Sequence, residues 1–145
     1  MKEEIKPDII IDASNLVVGR LATYAAKQAL LGKVVFIVNC QDAIFTGKRQ
    51  SLLKEFREKF SRGEFMKGPF ITRLSDRIVK RAVRGMLPYK QERGRSAYQR
   101  VMCYVGVPDG LKETKKISLD NAHISRLKNE NYLTVKTVSE HLRGK

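Results

Sequence analysis

The sequence predicts an α/β domain built on a mainly parallel sheet with helices on both faces. Two β-branched runs, Ile9–Ile11 and Val34–Val38, are apolar at every position, which is typical of strands buried on both faces. An Ala- and Leu-rich stretch from about Val18 to Leu31 separates them, and Gly32 is a natural stop for a helix there. Strand, helix and strand form a βαβ unit, so the second strand is expected to run parallel to the first.

A polar lead-in precedes this βαβ unit, and a short strand, a helix and a loop follow it. Met1–Pro7 is a polar lead-in, and Ala43–Phe45 predicts a short strand. A helix is expected from about Lys48 to Phe60, because apolar side chains recur on one face: Leu52, Leu53, Phe56 and Phe60. Ser61–Pro69 holds two glycines and a proline and predicts a loop.

The stretch Ser75–Arg84 predicts a helix with two chemically different faces. Cations fall at i, i+3, i+4 and i+7, on one stripe: Arg77, Lys80, Arg81 and Arg84. Apolar side chains fall on the other side: Ile78, Val79, Ala82, Val83 and Met86. Ser75 can cap the start, and Gly85 and Pro88 mark the end. Further cations are expected in the following loop: Lys90, Arg93 and Arg95.

Later elements carry weaker signals. Gly94–Arg100 could form a short helix, and Val101–Val105 predicts another strand. Extended segments are expected at Lys115–Leu119 and Tyr132–Lys136. A last helix at Val138–Leu142 would have Thr137 as N-cap and Glu140 completing a capping box. We therefore expect a single domain over residues 1–145, with a core at about 8–108 and an irregular C-terminal extension at 109–145.

Charge is distributed unevenly over this chain. The formal net charge is +14, with 29 Lys and Arg against 15 Asp and Glu. Residues 1–46 are neutral (five of each sign), whereas residues 47–100 carry sixteen cations and five acids, a net +11. A solvated basic face is the simpler interpretation, but ordinary faces mix signs because like charges at i,i+4 repel. The single-sign stripe therefore favours binding of a polyanion.

The sequence contains no complete motif for catalysis or nucleotide binding. The turn Ala13–Gly19 has one glycine where a dinucleotide fingerprint needs three, and Thr46-Gly47-Lys48 is only a fragment of a phosphate-binding loop. His123 and His141 lack partners at metal-ligand spacing. Asp8 and Asp12 flank a strand and are interpreted as end and turn residues, so we expect neither an enzyme nor a metal or cofactor.

Cysteines and aromatic residues receive structural interpretations. Cys40 and Cys103 are expected to be buried free thiols in a reducing cytoplasm, although the sequence leaves a disulfide between them open. The sequence has no apolar run long enough to cross a membrane. Phe65 and Phe70 are expected to pack in the protein. For Tyr89, packing and contact with RNA both stay open.

The residues around the two-faced helix form specific motifs: the run VRGMLPYK at Val83–Lys90, followed by Arg93-Gly94 and by YVGVP at Tyr104–Pro108. These motifs closely resemble the universal large-subunit ribosomal protein family numbered thirteen. Further similarity lies at Ile11–Ala13, Gly19–Ala22, Val35–Asn39, Thr46–Lys48, Gly68–Phe70 and Arg73. The form of the tail is similar to archaeal members. Two departures are Lys48, where the family often has Asn, and Leu74-Ser75, where it often has Ala-Pro.

The resemblance implies a three-layer α/β/α core and a structural role in the large ribosomal subunit. The implied partners are large-subunit ribosomal RNA and neighbouring proteins of that subunit, with no membrane and no small-molecule substrate. The implied location is the cytoplasm, and the implied role includes support of subunit assembly. Phosphates and 2′-hydroxyls are the expected contacts, because A-form RNA hides its base edges in a deep groove. The residues expected to bind RNA are Lys48, Arg49, Arg73, Arg77, Lys80, Arg81, Arg84, Lys90, Arg93 and Arg95.

Two other classes of function are compatible with a basic α/β protein. A free regulatory RNA-binding protein would need the same surface, so co-sedimentation with large subunits would have to separate it from a ribosomal protein. An enzyme that processes RNA would need an acid, a base or a metal site among the cations, and the sequence offers none.

Overall fold

A computed structural model describes residues 6–144 of the chain, so most of the predicted lead-in Met1–Pro7 lies outside the described residues. Within this range lie five strands and five α-helices: β1 (Ile9–Asp12), α1 (Val18–Leu30), β2 (Val35–Val38), β3 (Ile44–Thr46), α2 (Arg49–Ser61), α3 (Ser75–Gly85), α4 (Glu92–Gln99), β4 (Val101–Cys103), β5 (Tyr132–Thr134) and α5 (Val135–Leu142). Short 3-10 turns lie at Cys40–Asp42, Asp109–Leu111, Asp120–Ala122 and Ile124–Arg126. The predicted α/β class is confirmed.

The main sheet is parallel, with the strand order β1-β2-β4. Ile9 pairs with Val35 across β1 and β2, and Val35 pairs in turn with Val101 of β4. The predicted parallel βαβ unit is therefore confirmed. The predicted strand Lys115–Leu119 contributes a single bridge, in which Ile117 pairs with Ile11 at the outer edge of β1. A separate antiparallel pair joins β3 to β5.

The faces of the main sheet are covered in different ways. On one face, Ile11 and Ile37 belong to the large core cluster that also takes in the apolar sides of α1 and α3. On the other face, Phe36 and its neighbours pack against the segment that follows β4, including Tyr104 and Leu111. Strands that are apolar throughout are thus buried on both sides, but the second side is covered by an extended segment and a 3-10 turn, not by the helices expected there.

Helix α1 follows the prediction closely. Its buried residues are Val18, Leu21, Ala22, Ala25, Ala26 and Ala29, while Arg20, Thr23 and Lys27 form the exposed stripe. The helix ends before Gly32, whose φ of +94° is a left-handed conformation that glycine adopts without strain. In α2, Leu52, Leu53, Phe56 and Phe60 are only partly buried, but they pack against the core as predicted.

Three helix starts differ from the predictions. Helix α3 has Leu74 at its N-cap, and Ser75 is its buried first residue, with no side-chain cap. Helix α4 begins at Glu92, two residues before Gly94. Helix α5 begins at Val135 because Thr134, at the end of β5, accepts a hydrogen bond from the Thr137 amide at 3.2 Å and takes the cap position predicted for Thr137.

The C-terminal residues complete the same core. Leu133, Val135, Val138 and Leu142 are buried and belong to the core cluster of the sheet and α1. Their packing explains why β5 and α5 are regular elements within the region predicted as an extension.

Acids at the strand ends have the structural roles predicted for them. Asp8 accepts a hydrogen bond from the Val34 amide at 2.8 Å. The Asp12 carboxylate accepts from the Ser14 amide, the Ser14 hydroxyl and the Asn39 amide group at 3.0, 2.8 and 3.0 Å. Burial acts to raise the pKa of Asp12, but these hydrogen bonds outweigh burial and hold it below its usual value.

Val83 allows a test of how much the buried face of α3 contributes to stability. Its side chain has no exposed surface, so Val83→Ala is expected to cost about 1–3 kcal/mol through lost burial and a residual cavity. The matched control is Val105→Ala, since Val105 is 61% exposed and should change stability by less than about 0.5 kcal/mol. Urea denaturation of both variants measures the difference. Equal stabilities for the two would contradict burial of this face.

Candidate nucleic-acid interface

Helix α3 presents its two faces as the sequence predicts. Ile78, Val79 and Val83 are buried against the core. Arg77 and Arg81 are exposed on the other side, and Lys80 and Arg84 are partly buried beside them. Met86 departs from the prediction: it is exposed just beyond the helix, where its sulfur accepts a hydrogen bond from the Thr23 hydroxyl at 3.2 Å.

Two of the cations on α3 lie over aromatic rings. The Lys80 ammonium is 4.9 Å from the centre of the Tyr98 ring, and the Arg84 guanidinium is 5.0 Å from the centre of the Tyr89 ring. These cation–π contacts hold the charged groups in place. They connect α3 to α4 and to the turn after α3. Tyr89 thus has a protein contact, yet 41% of its surface stays exposed, so both interpretations of this ring stay open.

The start of α3 is less purely cationic than the stripe suggests. The Asp76 carboxylate lies 3.8 Å from Arg77 and partly offsets its charge. An acid in the first turn is also favourable to the helix dipole. Arg73 precedes the helix, with its guanidinium 6.0 Å from the centre of the Phe60 ring. The Arg73 carbonyl accepts a hydrogen bond from the Ser139 hydroxyl at 2.6 Å, which fixes this segment against α5.

The cations after α3 lie on a turn and a helix. Lys90 is exposed on the turn, whereas Arg93 and Arg95 lie on the first turn of α4, not in a loop as predicted. Because the Lys80–Tyr98 contact links α3 to α4 and the Arg84–Tyr89 contact holds the turn, these charges adjoin the stripe. We call this set of cations the α3 surface: Arg73, Arg77, Lys80, Arg81, Arg84, Lys90, Arg93 and Arg95.

Lys48 and Arg49 are not part of the α3 surface. Lys48 is the N-cap of α2, and Arg49 is its first residue. At 1.5 Å per residue, the twelve residues from Lys48 to Phe60 span about 18 Å, which separates Lys48 from Arg73. Lys48 instead lines a groove with three cations that the sequence does not predict as RNA contacts: Arg20, Arg126 and Lys128. We call this the α1–α2 groove. Its cations are up to 108 positions apart in the chain, so no local pattern could have revealed it.

The predicted packing of Phe65 and Phe70 is wrong. Phe65 is 92% exposed and Phe70 79% exposed, with Met66 exposed between them. Met66 has a φ of +71°, and Gly63 and Gly68 also adopt positive φ, so the chain turns tightly here. A turn this tight leaves the side chains of the loop no core to enter.

Both cysteines are free thiols. Cys40 is buried and Cys103 is partly buried. The hydrogen bond with Cys40, together with burial, raises the pKa of the Cys103 thiol well above its usual value. Within residues 6–144, no three His, Cys, Asp or Glu side chains come together as a metal site would require. Over the same range, no helix combines the length and hydropathy needed to span a bilayer.

Comparison with known proteins gives one family. The family model described as ribosomal protein L13 matches residues 6–109. Among similar proteins, the large ribosomal subunit protein uL13 of Methanosarcina barkeri is 44% identical over 137 residues, which cover 94% of this chain and 98% of that protein. The same-named proteins of Methanopyrus kandleri and Archaeoglobus fulgidus are 42% and 39% identical, each over 92% of this chain and over 85% and 86% of their own lengths. The chain therefore belongs to the ribosomal protein L13 family and is of the archaeal type.

Proposed function

We propose that the chain is a structural, non-catalytic constituent of the large ribosomal subunit and binds large-subunit ribosomal RNA through the α3 surface. Its relatives carry the name of a large-subunit protein. The observation that carries the proposal is the stripe on α3, where Arg77, Lys80, Arg81 and Arg84 share the side of the helix that faces away from the core. In the subunit, neighbouring large-subunit proteins are further partners, and the location is the cytoplasm.

The mechanism is neutralisation of phosphate charge by a rigid surface. An Arg fork can donate to two phosphate oxygens at once, and Lys adds a compact positive charge. The buried side of α3 fixes the backbone, and the contacts of Lys80 with Tyr98 and of Arg84 with Tyr89 restrict two of the side chains. Less conformational entropy is then lost when RNA binds, which favours affinity. Binding at this surface supports subunit assembly by holding RNA segments against a folded protein.

Binding to a transcript of large-subunit RNA should depend steeply on salt. Each neutralised phosphate releases counterions, so six to eight contacts from the α3 surface would lower affinity by about 10³-fold or more between 50 and 200 mM salt. The measurement is a binding isotherm at each salt concentration, with Mg²⁺ held constant. A flat response would contradict contact with phosphates. Co-sedimentation of the native protein with large subunits distinguishes a ribosomal constituent from a free RNA-binding protein, which would stay at the top of the gradient.

A further inference from the structure

The α1–α2 groove is a second concentration of positive charge that the α3 surface does not explain. We propose that this groove is an additional phosphate-binding site for RNA, in which Arg20, Lys48, Arg126 and Lys128 contact the backbone of nucleotides other than those held by the α3 surface. The proposal rests on the proposed function, since it takes large-subunit ribosomal RNA to be the ligand.

The groove is built by the fold from three separate parts of the chain. Arg20 comes from the first turn of α1, Lys48 from the start of α2, and Arg126 and Lys128 from the segment before β5. The Gly47 amide donates to the Asn131 carbonyl at 2.9 Å, which ties the start of α2 to that segment. Arg20 donates to the Asn121 carbonyl at 3.0 Å, which orients its guanidinium. The first bond fixes the two backbone segments relative to each other, and the second positions the Arg20 side chain.

The charge of the groove lacks compensation within its own lining. Among the described residues that line it, four are cationic and none is acidic. Glu130 belongs to the same segment, but its exposed side chain is not part of the lining. Four like charges around one concavity repel each other and raise the local concentration of anions. The amide groups of Asn129 and Asn131, which also line the groove, can donate hydrogen bonds to phosphate or ribose oxygens.

The groove is distant from the Arg73 end of the α3 surface and closer to the end formed by the C-terminus of α3. Along α2, Lys48 is about 18 Å from Phe60, beside which Arg73 lies. Along α1, the uncharged contact between Thr23 and Met86 lies one helical turn from Arg20 and joins it to the end of α3. Since screening at physiological salt acts over about 8 Å, a phosphate bound in the groove interacts only weakly with the far part of the α3 surface. The groove and the Arg73 end of the α3 surface should therefore make separate contributions to RNA binding.

The test removes three of the four positive charges of the groove without touching α3. The groove variant carries Arg20→Gln, Arg126→Gln and Lys128→Gln, all at exposed positions. The matched control carries Lys33→Gln, Lys54→Gln and Lys136→Gln, which remove the same charge at exposed positions outside both surfaces. A third variant with Arg20→Lys and Arg126→Lys preserves the charge. Affinity for a transcript of large-subunit RNA is measured over a salt series, and thermal melting confirms that each variant is folded.

We expect the groove variant to bind about 100-fold more weakly near 0.15 M salt and its salt slope to fall by about 2–3 units. The control and the charge-preserving variant should have affinities and salt slopes close to those of the unaltered protein. The comparison is a variant of the α3 stripe, the α3 variant, in which Arg77, Lys80, Arg81 and Arg84 are replaced with Gln. In hydroxyl-radical footprinting at saturating protein, the groove variant should lose protection at nucleotides that the α3 variant still protects. Unaltered affinity and slope in the folded groove variant, with a loss in the α3 variant, would overturn this site and leave the proposed function standing. Failure of the unaltered protein to bind the transcript would overturn both.

Discussion

Replacing Arg77, Lys80, Arg81 and Arg84 together with Gln is expected to lower affinity for large-subunit ribosomal RNA by about 10²–10³-fold near 0.15 M salt. Four phosphate contacts are lost at once, and each contributes through counterion release. Gln has a helix propensity close to those of Lys and Arg, so the helix itself should persist. The salt dependence should become less steep by about 3–4 units, measured on the same transcript.

In the structure, the four substitutions also remove stabilising contacts that the helix pattern does not predict. From sequence alone, removing the like-charge pairs at i,i+4 would stabilise the free protein slightly. Lys80 and Arg84, however, lie over Tyr98 and Tyr89, and each cation–π contact is worth about 0.5–1 kcal/mol at such partly exposed sites. The fourfold variant should therefore melt at a slightly lower temperature than the unaltered protein.

A second variant separates RNA contact from these packing effects. Arg77→Gln with Arg81→Gln changes the two exposed cations of the stripe and leaves both cation–π contacts in place. It should bind RNA about 10-fold to 100-fold more weakly with almost unaltered stability. The control for the fourfold variant removes the same number of charges outside both surfaces, by replacing Lys33, Lys54, Lys112 and Lys136 with Gln. Two of these, Lys54 and Lys112, form ion pairs with Glu58 and Asp109. If the double variant bound RNA normally, or if the control lost as much affinity as the fourfold variant, the stripe would not be the RNA contact.

Elements with a strong local pattern are predictable from this sequence. Ile9–Ile11 and Val35–Val38 are apolar at every position, and α1 has an uninterrupted apolar face, so local pattern and burial agree there. The two faces of α3 follow from the spacing of its side chains in the same way. The spacing of the cations in that stripe is therefore enough to place them together on one side of the helix.

Features that depend on tertiary contact are not predictable in this way. Thr137, with Glu140 three residues later, is the better cap in sequence, but pairing of β5 with β3 places Thr134 at the N-cap. Phe65 looks like a core residue by type, but its loop has no core within reach. Arg126 and Lys128 lie in a segment without clear periodicity. Tertiary contacts bring that segment to α2: the hydrogen bond between Gly47 and Asn131 and the pairing of Thr46 with Tyr132.

The role of Gly94 also depends on tertiary contact. Its replacement is expected to change stability more than any other single substitution proposed for this protein. In sequence, Gly94 looks like the start of a helix or a loop residue, but in the structure it is buried in the first turn of α4. A Cβ at this position would clash with the Pro88 carbonyl oxygen and carbon and would lie 2.8 Å from the Tyr89 nitrogen. Glycine is required here for space, because the backbone of the turn after α3 passes directly over it.

Gly94→Ala is therefore expected to destabilise the protein by about 3 kcal/mol, at the upper end of the usual cost of overpacking. The clashing atoms are backbone and cannot rotate away, and the Pro88 carbonyl is also held by the Gln91 amide at 2.9 Å. The matched control is Gly85→Ala at the end of α3, where a Cβ meets nothing within 4 Å. It should leave stability unaltered or raise it by up to about 1 kcal/mol, because alanine loses less chain entropy on folding. Urea denaturation measures both changes.

Displacement of the turn should also disturb the α3 surface. The turn carries Lys90, and Tyr89 within it lies under the Arg84 guanidinium. If the Pro88 carbonyl moves to admit a Cβ, Arg84 loses its aromatic support and the first turn of α4, with Arg93 and Arg95, shifts relative to α3. Folded Gly94→Ala protein should then bind the transcript more weakly than Gly85→Ala protein, although neither variant changes a charge. Equal stability and equal RNA affinity for the two alanine variants would show that the turn yields without cost, and the close contact at Gly94 would then have no role in holding the cationic surface together.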